Sequence, residues 1–211
     1  MRGLIYKEMA VFFKSIDRKV ILFTVGMLVL VMLESDAFAG LFATIFLAMF
    51  IGIQHILTFS SDEQVGWGEY QSAMPVNGLR VVGSKYLSIL GTLAVSFFGS
   101  ITLNLLAGII FGSFDFAIWA FSMASAAIIP LILTGFCMPF IYWFGFTAGK
   151  VMGGLAIMPI ICLVKYFEDG PGFQAMIGSV QTCVAAAFAA AAGLFLVSLA
   201  VSVLGYGRKK E

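Results

Sequence analysis

Charged residues are scarce in this chain: Asp, Glu, Lys and Arg make up 11% of its 211 residues, and hydrophobic residues make up 61%. A soluble domain carries roughly 25% charged residues, so this composition excludes an ordinary soluble protein and leaves little room for a separate soluble domain. We therefore expect a single, all-α integral membrane domain over residues 1–211.

The residue groupings that carry enzymatic or metal chemistry are also missing from the sequence. The three cysteines stand apart within apolar runs, without metal-ligand spacing, and are expected to be packing residues. The stretch Gly145–Lys150 is not a phosphate loop, because three residues instead of four separate its glycines and Val151 replaces Ser or Thr. No metal, cofactor or nucleotide site is predicted, an intramembrane enzyme is not favoured, and no nucleic-acid partner is expected.

Six apolar runs are candidates for crossing a bilayer, which takes about 20 apolar residues. They are Val20–Leu33, Ala37–Phe59, Leu87–Phe111, Phe116–Phe146, Val151–Val164 and Met176–Tyr206. The fourth run contains Pro130 and Pro139, so we expect a kink or tilt there. Residues 1–19 precede the first run as an amphipathic helix, which is predicted to lie flat in the headgroup region.

The distribution of cations predicts the orientation of these spans. With six spans, eleven of the twelve Lys and Arg residues fall on the side that both termini share, and only Lys165 falls on the other side. By the positive-inside rule, both termini are then cytoplasmic in a multi-pass protein of the cell membrane. Residues 60–86 become the only long cytoplasmic loop.

No Asp, Glu, Lys or Arg lies within the core of a predicted span, which does not favour ion-coupled transport. His55, near the cytoplasmic end of the second span, is the sole candidate for such a role. A packed or interfacial histidine is the alternative, and both readings stay open. Asn104, in the third span, is expected to bond a neighbouring helix rather than a solute.

The first part of the 60–86 loop has the pattern of a helix start. Ser60 and Glu63, and equally Ser61 and Gln64, have the spacing of a capping box. We therefore predict that a short surface helix begins at these serines.

The rest of the loop predicts the face of that helix and its end. Trp67, Tyr70 and Met74 follow at spacings of three and four, so they would share one face. Pro75 cannot continue the helix, and Asn77 is a suitable N-cap for the next one. The alternative is an ordinary solvated loop with an interfacial Trp and Tyr.

Glycine spacing predicts close helix packing in two places. Gly145, Gly149 and Gly153 form a tandem GxxxG pattern, and Gly108 and Gly112 form a second one. Small residues at this spacing allow helices to approach closely in membranes.

Taken together, these features resemble the membrane subunits of the ABC-2 class of ABC transporters, in particular small permeases that pair with a separate ATPase, including bacterial exporters of peptide toxins such as phenol-soluble modulins. The resemblance rests on the six-span plan and on two motifs. The motifs are Leu4-Ile5-Tyr6-Lys7-Glu8 at the start, and Glu63, Trp67, Tyr70, Met74-Pro75-Val76, Val81-Val82 and Ser84-Lys85-Tyr86 in the loop.

The resemblance implies an N-terminal elbow helix, with Lys7, Glu8 and Phe12 as its candidate residues, and a cytoplasmic coupling helix between spans two and three. The implied ATPase-coupling residues are Asp62, Glu63, Trp67, Glu69, Tyr70, Met74 and Pro75. It further implies a bacterial half-transporter that pairs with a second copy or a homologous permease. ATP and Mg would be bound by the partner ATPase, and the cargo would be an amphipathic peptide or another hydrophobic compound. The rival hypothesis is a membrane substrate-capture or immunity module without transport of its own.

Overall fold

The computed structural model describes residues 2–35, 38–73, 77–112, 115–169 and 180–208, which are almost entirely α-helical and contain no strand. The helices are α1 (Arg2–Ser15), α2 (Arg18–Glu34), α3 (Ala39–Gln64), α4 (Trp67–Ala73), α5 (Gly78–Phe111), α6 (Phe116–Phe144), α7 (Phe146–Asp169) and α8 (Val180–Arg208). The predicted all-α class is confirmed.

Four of these helices are long and apolar enough to cross a membrane: α3, α5, α6 and residues Val184–Arg208 of α8. They coincide with the second, third, fourth and sixth predicted spans. The first predicted span lies within α2, which has 17 residues. The fifth lies within α7, whose described apolar part is the shorter segment Phe146–Met158. Among the described residues, four helices are therefore candidate spans by length and composition, and six spans remain a prediction.

Local sequence explains where several helices begin and end. The carboxylate of Asp17 accepts a hydrogen bond from the next backbone N–H at 2.7 Å at the start of α2. Asp115 caps α6 in a similar way, at 2.8 Å. Gly112 ends α5 with a φ of 67°, and Gly145 separates α6 from α7 with a φ of 91°. The fourth apolar run is thus divided at Gly145, whereas the sequence predicted one span to Phe146.

Helix α6 lies at the centre of the fold and packs against α3, α5, α7 and α8. The largest cluster of buried apolar side chains surrounds it and includes Leu131, Cys137, Met138 and Ile141. Cys137 is fully buried there, as expected of a packing cysteine. Large apolar side chains on the outer surfaces of α2, α5 and α8 are exposed in the chain, as lipid-facing surfaces require.

Helix α1 runs antiparallel to the last third of α3, in the groove between α3 and α5. Its contacts with α3, in order, are Ser15–Gln54, Phe12–His55 and Lys7–Asp62. From the first contact to the last, both helices advance by the same distance, roughly 12 Å at 1.5 Å per residue. The predicted N-terminal helix is present and packs along the end of α3. Its position flat in the headgroup region stays a prediction.

Candidate functional site: the junction of α3, α4 and α5

The junction is built from a helical extension, a tight turn and a short helix. Helix α3 continues through Ser60 and Ser61 to Gln64, so the predicted capping box is wrong: both serines lie within α3 and cap nothing. The helix persists because its last turns pack against other helices, which the polar sequence does not reveal. Gly66 then makes the turn with a φ of 64°, a conformation that glycine adopts without strain. Helix α4 follows. Asn77 occupies the N-cap position of α5, as predicted, although its side chain makes no capping hydrogen bond.

Four charged side chains meet where α1 enters this junction. Lys7 Nζ lies 3.1 Å from Glu8 Oε1 and 2.5 Å from Asp62 Oδ1. Lys85 Nζ lies 3.1 Å from Glu8 Oε2 and also bonds Asp62 Oδ2. Each cation therefore contacts both carboxylates, and the charges alternate around a closed ring. We call these four residues the ionic cluster.

Most of the ionic cluster is shielded from solvent. The exposed fractions of the side chains are 3% for Glu8, 6% for Lys85, 11% for Asp62 and 23% for Lys7. Removing a charge from water is costly unless partners compensate it, and here every charge has two partners of opposite sign. The two positive and two negative charges balance, which explains how three helices tolerate them at their contact.

Two aromatic rings complete the surroundings of the cluster. Lys7 Nζ lies 4.4 Å from the centre of the Trp67 ring, and Lys85 Nζ lies 4.1 Å from that of Phe59. At these distances the ring faces attract the ammonium groups. Because Trp67 is the first residue of α4, its contact with Lys7 joins α4 directly to the cluster.

The residues predicted for ATPase coupling occupy different environments. Asp62 is held within the ionic cluster. Glu63 is exposed, and its Oε1 accepts a hydrogen bond of 3.4 Å from the backbone N–H of Phe146 at the start of α7. Tyr70 is 61% exposed, and its ring lies 5.4 Å from that of the less exposed Trp67, centre to centre.

Met74, Pro75 and the side chain of Glu69 lie outside the described residues. The structure therefore places neither the predicted end of the short helix nor the third carboxylate of the segment. A coupling role for any of these residues stays a prediction.

The inner surface of α4 carries two buried hydrogen-bond donors that have no partner in the part of the chain that the structure describes. Trp67 Nε1 and Gln71 Nε2 are buried, and among the described residues neither has an acceptor within bonding distance. They lie four positions apart, so both face the same side of the helix. A buried donor without an acceptor costs roughly 1–3 kcal/mol, so the packing of α4 is not optimal for stability.

The third predicted elbow residue, Phe12, is 1% exposed and packs inside the protein. Its ring stacks on that of His55 with the centres 4.5 Å apart. On its other side, His55 Nε2 lies 2.5 Å from Thr92 Oγ1. His55 thus joins α1, α3 and α5 as a buried residue with a polar partner, which fits the packed alternative.

The three glycines of the tandem GxxxG pattern differ in their surroundings. A Cβ atom on Gly149 would overlap the side chain of Ile141, and one on Gly153 would lie 3.5 Å from Ile56 Cδ1. Both glycines face other helices of the same chain. Gly145 has no such neighbour within 4 Å, and instead provides the turn between α6 and α7.

Asn104 bonds neighbouring helices, as the sequence predicted. Its Nδ2 donates to Ser122 Oγ of α6 at 2.7 Å and lies 3.3 Å from Thr44 Oγ1 of α3. The hydroxyl of Ser122 also donates to Thr44 Oγ1, at 2.9 Å. This network of neutral groups is fully buried and holds α3, α5 and α6 together far from the ionic cluster.

Sequence reasoning missed the pairing of Glu8 with Lys85, whose Nζ and Oε2 atoms lie 3.1 Å apart. One signal was present. Glu8 lies one helical turn after Leu4 and one before Phe12, so it belongs to the apolar face of α1. A carboxylate in that position requires a buried cation as its partner.

The fold and the junction define a multi-pass, α-helical membrane protein whose charged side chains gather where two membrane-length helices are joined. Comparison with protein families matches residues 3–206 to the family described as "ABC-2 family transporter protein". The chain belongs to this family, which confirms the resemblance noted in its sequence. No curated protein and no solved structure matches the chain.

Proposed function

We propose that the chain is the permease subunit of an ATP-driven ABC exporter in the cell membrane. It has six spans and cytoplasmic termini, and it forms the translocation pathway with a second copy or a homologous permease. A separate ATPase binds ATP and Mg. The observation that carries this proposal is α4, a seven-residue helix presented between two membrane-length helices in a chain of the ABC-2 family.

The contacts of α4 indicate which side chain meets the ATPase. Trp67 turns towards Lys7 and ties α4 to its own chain. Tyr70 is 61% exposed, which leaves most of its surface free for a partner. Large aromatic side chains dominate the binding energy of protein interfaces. Tyr70 is therefore the better anchor for the ATPase. Trp67 packs beside it and holds α4 against its own chain.

The test is binding of the cognate ATPase to the Tyr70→Ala permease in nanodiscs. Loss of an anchor residue costs about 2 kcal/mol or more, which weakens binding about 30-fold. ATP-dependent transport should fall with it. Tyr6→Ala is the matched control, because Tyr6 is 77% exposed on α1 and should leave binding unchanged. Equal ATPase binding by both variants would contradict the assignment of α4.

The proposed cargo is an amphipathic peptide or another hydrophobic compound. Its test is ATP-dependent accumulation of a fluorescent amphipathic peptide in vesicles that contain permease and ATPase. A permease that binds the peptide but neither binds the ATPase nor moves the peptide would instead be a capture or immunity module.

A further inference from the structure

The ionic cluster links three helices through a closed arrangement of contacts. Lys7 and Glu8 come from α1, Asp62 from α3 and Lys85 from α5. Because each cation lies between two carboxylates, moving any one helix breaks two contacts at once. At least one of the separated charges is then buried with a single partner, which is strongly unfavourable.

We propose that the ionic cluster is a positioning device that makes α1, the end of α3 and the start of α5 move as one rigid unit. Trp67 rests on Lys7 at 4.4 Å, so a displacement of α4 reaches this unit at its charged end. The ATPase as the source of that displacement rests on the proposed function. The rigidity of the unit is a property of the permease alone.

Stability by itself does not explain the cluster. Buried ion pairs are often no more stabilising than apolar side chains of similar volume, so apolar contacts would hold α1 equally well. A closed ring also fixes the relative orientation of the three helices, because a Lys ammonium keeps two partners only within a narrow range of positions. The matching advance of the α1 and α3 contacts extends this fixed relation from Lys7 to Ser15 of α1.

The first test replaces the four charged side chains by apolar ones of similar volume. The variant combines Lys7→Met, Glu8→Met, Asp62→Leu and Lys85→Met. Spin labels are placed in pairs, at Ala10→Cys on α1 with either Leu57→Cys on α3 or Leu87→Cys on α5, after the three native cysteines are changed to Ala. All three labelling positions are exposed. Distances between the labels are measured in nanodiscs by pulsed electron paramagnetic resonance, without any ATPase.

The parent should give a single narrow distance. The neutral variant should unfold at the same temperature as the parent or higher, yet lose the narrow distance and show a broad distribution. A distance as narrow as that of the parent would overturn the proposal, because packing alone would then fix α1 against α3 and α5.

The second test distinguishes a ring of coupled charges from ion pairs that act independently. It also tests the proposal if the neutral variant does not fold. The double reversal Glu8→Lys with Lys85→Glu restores that one pair but places like charges side by side along two edges of the ring. It should lose the narrow distance. Adding Lys7→Glu and Asp62→Lys makes the charges alternate again, and the narrow distance should return.

If the double reversal keeps the narrow distance, the contacts act as independent pairs and the proposal is overturned. The same holds if the fourfold reversal folds without restoring the distance. Failure of the ATPase to bind would leave all of these results unchanged. The proposed function and the rigid unit are thus refuted by different measurements.

Discussion

The contact between α3 and α5 depends on the absence of a side chain at Gly40. A Cβ added there would lie 2.6 Å from Asn104 Oδ1 and 3.1 Å from Asn104 Cα. The amide cannot withdraw easily, because its Nδ2 donates to Ser122 Oγ at 2.7 Å and to the Ser100 carbonyl at 2.8 Å. Gly40→Ala must therefore either break this network or separate the two helices.

The expected cost of Gly40→Ala in stability combines two destabilising contributions and one stabilising contribution. Overpacking a filled site costs about 1–3 kcal/mol. Each hydrogen bond lost from Asn104 adds about 0.5–1.5 kcal/mol. Replacing Gly by Ala within a helix returns up to about 1 kcal/mol. Gly40→Ala should therefore destabilise the protein by about 1–3 kcal/mol, seen as a lower unfolding temperature in nanodiscs.

Two further variants make this prediction specific. Gly26→Ala is the matched control, because nothing lies within 4 Å of a Cβ at this position in α2. It should be neutral or slightly stabilising. In a double-mutant cycle, Asn104→Ala should absorb most of the cost of Gly40→Ala, since it removes the obstacle. If Gly40→Ala were as stable as Gly26→Ala, the close approach of α3 and α5 would be refuted.

Three other predictions address packing, α4 and topology. Gly149→Leu should lower the unfolding temperature, because the new side chain meets α6. Gly154→Leu has open space and should leave the unfolding temperature unchanged, so equal effects of the two substitutions would contradict this packing. Gln71→Met should raise the unfolding temperature, because it removes a buried donor that has no acceptor among the described residues, and a fall would show that the donor is satisfied. For six spans, a tag at Gly170 should be accessible only from outside and a reporter after Glu211 should be active only in the cytoplasm; finding both on one side would remove that topology.

The apolar runs predicted most of the helices but not the end of α3, and Asn77 rather than hydropathy predicted the start of α5. Hydropathy marks where apolar residues stop, at Phe59 and again from Leu87. Helix α5 begins at Gly78, directly after Asn77, whereas α3 continues to Gln64 because its polar end packs against α1. A backbone helix persists wherever neighbouring helices cover it, and that cover is a tertiary property without a local signature.

The glycine pattern shows a related limit of sequence reasoning. The spacing of Gly149 and Gly153 correctly indicated that other helices approach them. The same spacing included Gly145, which lies in a turn with a φ of 91°. A spacing of four places residues on one face only within a continuous helix. The sequence alone did not reveal that the helix breaks there.

The pairing of residues within the ionic cluster could not be predicted from the sequence, for a different reason. Lys7 and Glu8 lie far along the chain from Asp62, and Asp62 lies far from Lys85, so no local spacing relates them. The sequence nevertheless limited where such a cluster of charges could lie. Charges excluded from the spans must lie near the ends of helices, and charges near helix ends meet wherever those ends converge.

Along α3, the choice of polar side chain changes with position. Thr44, near one end, belongs to a network of hydroxyl and amide groups, whereas Asp62, near the other end, belongs to the ionic cluster. At 1.5 Å per residue they lie roughly 27 Å apart, close to the thickness of a hydrocarbon core of about 30 Å. Neutral groups can be buried in lipid once they are hydrogen-bonded, but charges are far more costly there. We infer that the ionic cluster lies at or beyond a boundary of the hydrocarbon core, where α1, α3 and α5 can be held by charge without carrying a charge into lipid.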